Sequence, residues 1–249
     1  SKAIRSNLPF IIVNNTLDFM EAIAVHNRSS FNGDVIGITG TNGKTTSKQI
    51  LSNLLTFVHK THKTDGNKNN HIGVPFSMLN MENRYKSSVI EIGTSQVGEM
   101  KSLTNLVKPN IAAITNVSAG HLVGLKDTDS IASEKGDILK FYNSDGIAVL
   151  PRDSSFFNFW SNKTNAKKIV SFGFHENSDF KVMSPTIDVE NNLTSFELMH
   201  GSLKEECSIN GVGIHNSLNA AMGLAICSVL GLNISEVKGA LHYVEFPER

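Results

Sequence analysis

A glycine-rich loop joins a short buried strand to an amphipathic helix near the start of the chain. The strand is the β-branched run at residues 35–38, and the loop at 40–46 reads Gly-Thr-Asn-Gly-Lys-Thr-Thr. This order of strand, loop and helix is typical of loops that hold phosphate groups with backbone N–H groups and the helix dipole. The helix is predicted from apolar residues that recur on one face: Ile50, Leu51, Leu54, Leu55 and Val58.

The loop chemistry predicts a nucleotide site with Mg²⁺. Lys44 would reach the β- and γ-phosphates of the nucleotide, and the Thr45 hydroxyl would bind Mg²⁺. The usual spacing places a glycine five residues before Gly43, but Ile38 occupies that position. A glycine-rich turn without a ligand is the alternative interpretation. The other predicted phosphate contacts are Gly40, Thr41, Asn42, Gly43 and Thr46.

The rest of the first 150 residues alternates between apolar strands and helical patterns. Continuous apolar strands that alternate with helices are typical of a parallel sheet covered on both faces. We therefore predict an α/β P-loop domain with a mostly parallel sheet flanked by helices. Its further strands are predicted at 88–92, 111–114 and 146–150, and its helices at 77–82, 98–107 and 129–141.

Beyond Pro151 the pattern changes. Residues 168–210 suggest several short strands with turns at 176–178 and 190–192, which predicts a small antiparallel sheet region. A helix rich in Ala and Leu is predicted over 216–230, with Gly231 closing it. A last helix is predicted to start at a Ser235 cap.

Composition limits the classes of partner. Lys plus Arg and Asp plus Glu are both 23 among 249 residues, which argues against a broad nucleic-acid-binding surface. No apolar run approaches the ~20 residues of a membrane span, and we identify no signal peptide. Cys207 and Cys227 belong to no paired metal motif. We expect a cytoplasmic, reduced protein that is a monomer and binds small molecules.

Six sequence blocks, in order, resemble the Mur ligase family. The resemblance implies an enzyme that phosphorylates a carboxylate with ATP and then lets an amine attack the acyl phosphate. The blocks are 40–46, 66–75, 91–93 with 98–100, 115–117 with 120–122, 135–137, and 215–216 with 219.

The blocks at 66–75 and 91–93 are most similar to the family branch that joins D-Ala-D-Ala to a UDP-muramyl tripeptide for peptidoglycan. One alternative is a ligase like folylpolyglutamate synthase, which substrate assays would distinguish. Another is a non-catalytic P-loop switch or scaffold, in which Glu91, His121 and Lys135 would lie far apart.

The family resemblance implies a metal-binding and catalytic set. Glu91 ends an apolar strand, and its carboxylate oxygens suit Mg²⁺. His121 would be a catalytic residue and a ligand of a second Mg²⁺. Lys135 would be carbamylated by CO₂ and bind metal as an anion, although a solvated lysine is the ordinary alternative.

The resemblance also implies substrate contacts. Asn70 would act in catalysis at the γ-phosphate or the acyl phosphate. Asn67, Asn69 and Asn116 would contact or orient the substrate, although asparagine is common in turns for its own reasons. Nucleotide contacts would come from Asn216, Asn219 and Arg249.

The resemblance further implies a domain organisation. Residues 1–30 would be the remnant of an N-terminal substrate domain with its linker helix at 17–26. Residues 31–249 would be the central ATP-binding domain, and a C-terminal Rossmann-like domain would be absent. Because sites of this kind are assembled by domain closure, we expect weak turnover from this chain alone.

Overall fold

The computed structural model describes residues 10–118, 127–143 and 145–246. One nine-stranded sheet, in the order β2-β3-β1-β4-β5-β6-β7-β8-β9, forms its centre. The strands are β1 Asp34–Thr39, β2 Thr61–Lys63, β3 Ser87–Glu91, β4 Ile111–Ile114, β5 Ile147–Pro151, β6 Lys168–Gly173, β7 Phe180–Asp188, β8 Leu193–His200 and β9 Leu203–Asn210. The helices are α1 Thr16–Ser30, α2 Lys44–Thr56, α3 Gly73–Met78, α4 Glu99–Val107, α5 Thr128–Gly136, α6 Phe157–Lys163, α7 Ile214–Val229 and α8 Ile234–Val237, with 3₁₀ turns at Asp137–Leu139 and Lys238–Tyr243.

The first seven strands run parallel and the last two antiparallel. In the register, Ile38 of β1 lies between Glu91 of β3 and Ala113 of β4. The carboxyl ends of these three strands therefore meet at one edge. From β1 the chain continues to β2 and β3 on one side of β1 and then crosses to β4 on the other side. This edge is therefore a topological switch point, where open α/β sheets bind ligands.

Alternate strand residues enter two separate cores, one on each face of the sheet. Ile36 and Ile38 pack with α2 and α7, while Val35 packs on the opposite face with α1, α3 and α4. The period of two follows from the pleat of a β-strand. The predicted parallel sheet with helices on both faces is confirmed.

Within the range 168–210 that was predicted as antiparallel, β6 pairs parallel with β5 and β7. The antiparallel strands β8 and β9 continue the same sheet instead of forming a sheet of their own. They are also longer than predicted, at eight residues each. The helix predicted at 216–230 is confirmed by α7, and Gly231 has a φ of 78°, as a helix-closing glycine should.

Three predicted helix positions were wrong. The helix at 77–82 is α3, which starts earlier because the Asn70 side chain accepts from the amides of Ile72 and Gly73. The pattern at 129–141 divides into α5 and a 3₁₀ turn. The last helix is capped by Asn233, whose side chain accepts from the Ser235 amide.

Two further observations concern the helices and the cysteines. No helix in the described ranges has the length and apolar character needed to cross a bilayer. Cys207 and Cys227 are free and buried, as expected of ordinary thiols.

Candidate nucleotide-binding site

The loop at 40–46, called the phosphate loop below, depends on two glycines. Gly40 has a φ of 154°, and a Cβ there would lie 1.9 Å from the Thr115 hydroxyl oxygen. Gly43 has a φ of 78° and precedes α2 without any side-chain cap. The amides of the first turn of α2 are therefore open to an anion, which the helix dipole favours.

The residues after β4 hold this loop in place. Asn116 accepts from the Asn42 amide at 3.1 Å and donates to the Asn42 carbonyl at 2.9 Å. The Thr115 hydroxyl donates to the same carbonyl at 2.6 Å. The Asn116 amide thus supports the phosphate loop, and its predicted substrate contact stays a prediction.

Lys44 brings a positive charge to the mouth of the loop. Its Nζ donates to the carbonyls of Gly40 and Thr41, each at 3.0 Å. Burial lowers the pKa of the Lys44 ammonium, and the negative charge of Glu91 opposes that shift. The charges of Lys44 and Glu91 therefore interact, as expected of a lysine at a phosphate–cation site.

Glu91 is fully buried and forms the centre of a polar cluster. Its Oε1 accepts from the Thr45 hydroxyl at 3.0 Å and from the Asn69 amide at 2.7 Å. Its Oε2 lies 3.1 Å from Lys48 Nζ but accepts no well-aligned hydrogen bond among the described residues.

This donor set suits a hard cation. A carboxylate oxygen beside a hydroxyl oxygen matches the preference of Mg²⁺ for oxygen ligands. Across the described ranges, no cluster of three or more His, Cys, Asp and Glu side chains can hold a metal. The observed fit therefore rests on Thr45 and Glu91. The predicted ligand His121 and the predicted phosphate contact Arg249 lie outside the described residues.

Lys135 is buried, not solvated. Burial lowers the pKa of its ammonium to about 8, and the positive charge of Lys44 contributes to the shift while Glu134 opposes it. Lys135 therefore lies in the electrostatic field of Lys44. Its helix α5 is anchored by Trp160, whose indole nitrogen donates to the Ala132 carbonyl at 2.9 Å.

Two cavities meet at Lys44. The larger, of about 790 Å³, reaches from the phosphate loop to Asn192 between β7 and β8 and to Gly211 and Val212 after β9. The smaller, of about 320 Å³, lies between Lys44, Asn69, Asn70 and the segment after β3. The larger is lined by residues 41–46 together with Gly66, Asn67, Asn192, Gly211, Val212, His215, Asn216 and Phe246.

Most of the asparagines predicted as ligand contacts also have structural partners. Asn69 contacts Glu91, and Asn70 caps α3 through Oδ1. Asn219 accepts from the Ser47 hydroxyl at 3.1 Å and packs on Gly43, beside the phosphate loop. Asn67 and Asn216 line the larger cavity. The ligand roles of all five stay predictions.

Several site residues were missed from the sequence. Lys48 lies three residues before Leu51 on the buried face of α2, so its helical position was a usable signal. Asn192 and Phe246 reach the larger cavity from distant segments, and no local pattern marks them.

A glycine-rich loop between strand and helix, at the switch point of a parallel sheet, defines a P-loop α/β domain. The family model of the Mur ligase middle domain matches residues 38–227. The chain therefore belongs to the Mur ligase family, as the sequence blocks predicted.

Individual relatives agree with this placement. UDP-N-acetylmuramoyl-tripeptide–D-alanyl-D-alanine ligase of Borreliella burgdorferi is 34% identical over 240 residues, which is 94% of this chain and 49% of the relative. The ligase of the same name from Buchnera aphidicola is 31% identical over 231 residues, which is 93% of this chain and 50% of the relative. The chain thus spans about half the length of these curated relatives.

Solved structures give the same result. MurF of Acinetobacter baumannii superposes with a TM-score of 0.89 at 25% identity, over 98% of this chain and 53% of that one. MurF of Thermotoga maritima, solved in complex with ADP, superposes with a TM-score of 0.83 at 26% identity, over 99% of this chain and 56% of that one.

Proposed function

We propose that this chain is the ATP-binding part of a ligase that joins D-Ala-D-Ala to UDP-muramyl tripeptide during peptidoglycan precursor synthesis. The observation that carries the proposal is the larger cavity, which is lined by the phosphate loop and by Thr45, whose hydroxyl donates to the buried Glu91 carboxylate. The names of the curated relatives and the ADP in a solved relative support it.

In this proposal the chain mainly positions charge, as phosphoryl transfer requires. The loop amides and Lys44 bind the β- and γ-phosphates, while Thr45 and Glu91 hold the Mg²⁺. When bound, Mg²⁺ would neutralise phosphate charge during transfer of the γ-phosphoryl group. Asn216 and Asn219 contact the adenosine part, and Arg249 a phosphate.

The ligation then proceeds in two steps. The substrate carboxylate oxygen attacks the γ-phosphorus, and ADP leaves. The amine of D-Ala-D-Ala attacks the acyl carbon, loses a proton, and expels phosphate. Asn70, His121 and Lys135 serve these steps, with Lys135 carbamylated, and Asn67, Asn69 and Asn116 contact or orient the muramyl substrate. Both substrates would meet the enzyme in the cytoplasm, and we expect it to act as a monomer.

The folylpolyglutamate-synthase-like alternative is not favoured by the comparisons. A complex of that enzyme with a nucleotide analogue and folate superposes with a TM-score of 0.70 at 15% identity, which is a likeness of fold alone. Phosphate release with UDP-muramyl tripeptide and D-Ala-D-Ala, set against release with folate and glutamate, separates the two substrate classes.

Replacing Lys44 with Ala tests the nucleotide site. Charged hydrogen bonds contribute about 1.5–3 kcal/mol, so ADP affinity should fall roughly ten- to a hundredfold. Isothermal titration calorimetry measures the loss. The matched control is Lys101→Ala, which removes an exposed lysine from α4. Unchanged ADP affinity in Lys44→Ala would refute the proposed site.

A further inference from the structure

Lys48 is a buried lysine with no assigned role. It lies one helical turn beyond Lys44 in α2, and its side chain is 3% exposed. Lysine is rarely buried unless its charge is paired, because removing an ammonium from water is costly. The burial of Lys48 therefore indicates that its ammonium has a specific charged partner.

The Lys48 ammonium joins two parts of the site. It forms an ion pair with Glu91 Oε2 at 3.1 Å, and it donates a hydrogen bond to the Gly66 carbonyl. Gly66 belongs to residues 65–71, called the asparagine loop here, which lines both cavities. Lys48 thus connects the cation-binding carboxylate to the loop between the cavities.

The asparagine loop also returns to Glu91 by a second route. The Asn69 side chain donates to Glu91 Oε1 at 2.7 Å, and the Asn69 carbonyl accepts from the Gly93 amide at 2.8 Å. Glu91 is therefore held to this loop at two points, through Lys48 at Gly66 and directly at Asn69.

The two Glu91 oxygens face different partners. Oε1 contacts the hydroxyl of Thr45 in the phosphate loop, whereas Oε2 contacts Lys48. Lys48 therefore orients the carboxylate so that Oε1 faces Thr45 and Asn69. Groups that hold a metal ligand in this way set its orientation and so affect metal affinity.

We propose that Lys48 is a positioning residue that holds the Glu91 carboxylate and the asparagine loop together as one unit. This inference rests on the proposed Mg²⁺–nucleotide site, which the Lys48 ammonium serves without touching the nucleotide. Lys48 affects the part of the ADP affinity that depends on Mg²⁺, while the phosphate loop supplies the affinity that does not depend on the cation.

ADP affinity with Mg²⁺ and with EDTA tests the first half of the proposal. In Lys48→Met the affinity in EDTA should match the unaltered chain, while the gain from Mg²⁺ should shrink about 10- to 100-fold. Lys63→Met is the control, since Lys63 lies nearby on β2 but is exposed and bonds to Gln49. If Mg²⁺ increases the ADP affinity of Lys48→Met as much as or more than that of the unaltered chain, the proposal is overturned. Lys48 would then have no effect on cation binding or would compete with the cation for Glu91.

Hydrogen exchange tests the second half and needs no nucleotide. Removing one partner of a buried ion pair can prevent folding, so the unaltered chain is compared with Lys48→Met/Glu91→Gln, which leaves neither charge of the pair unpaired. The amides of residues 65–71 should exchange about tenfold faster in the double variant, because the link to Gly66 is lost. Equal exchange would overturn the proposal. Failure of the unaltered chain to bind ADP would refute the nucleotide site but leave this readout intact.

Discussion

At the scale of single residues, the site is made of charges that the fold has buried. Lys48, Glu91 and Lys135 are all removed from solvent, although lysine and glutamate usually lie at the surface. Glu91 was predicted from its position at a strand end. Lys135 was singled out by family resemblance alone, since its local sequence fits an exposed helix equally well, and its burial was not predicted.

Lys135 should be carbamylated at an unusually low pH. Only the neutral amine reacts with CO₂, and the pKa of about 8 means that this form appears well below pH 10.5, the pKa of an ordinary lysine. At a fixed CO₂ pressure, modification should therefore rise as the pH increases through about 8. Native mass spectrometry would show the addition of one CO₂.

The exposed Lys101 is the internal comparison and should stay unmodified over the same range. A Lys135 that remains a plain amine up to pH 9 under CO₂ would contradict both the carbamylation and its predicted role as a metal ligand.

At the scale of elements, the start of α4 is set by a carboxylate from another helix. Glu134 of α5 is buried and accepts from the amides of Gly98 and Met100 at 2.8 and 2.7 Å. Glu99 accepts from Ser95 and Gln96 at the same helix start but is more exposed. The helix was predicted from its own residues, but its Glu134 cap depends on a tertiary contact.

Replacing Glu134 with Ala should destabilise the protein more than Glu99→Ala. The first change leaves the Gly98 amide and the buried Met100 amide without a partner and should cost about 2–3 kcal/mol, whereas loss of the more exposed Glu99 cap should cost about 1 kcal/mol or less. Urea denaturation measures both free energies of unfolding. Equal losses would show that burial of the Glu134 carboxylate contributes nothing to its capping role.

At the scale of the whole molecule, the larger cavity joins the parallel and antiparallel parts of the sheet. The phosphate loop forms one wall, and residues around Gly211 and Asn216, with Asn192 and Phe246, form the other. Residues 41–46 and 211–216 are about 170 positions apart in the chain. A ligand that fills the cavity would therefore contact, and stabilise, both parts of the fold.

Addition of ADP with Mg²⁺ should therefore protect two distant segments from hydrogen exchange. The amides of 41–46 and of 211–216 should both slow, since both line the cavity. The turn at 176–178 lies away from it and serves as the unaffected comparison. Protection confined to 41–46 would mean that the base and ribose bind elsewhere.

Local sequence was sufficient for the phosphate loop, the strands β1, β3, β4 and β5, and α7. Each depends on interactions between near neighbours: glycines that allow a tight turn, continuous apolar runs, and apolar residues at helical spacing. The same reasoning misplaced α3, because its start depends on an Asn70 cap that precedes the apolar pattern. It also missed the short strand β2 and the helix α6.

Tertiary structure alone decided how the charged groups combine. Parallel pairing of β3, β1 and β4 brings Glu91, the phosphate loop and Asn116 to one edge. Burial in a medium of low polarity then makes the pairing of Lys48 with Glu91 necessary. The residue types and their order identify the chemistry, whereas their distances and exclusion from water depend on segments that meet only in the folded chain.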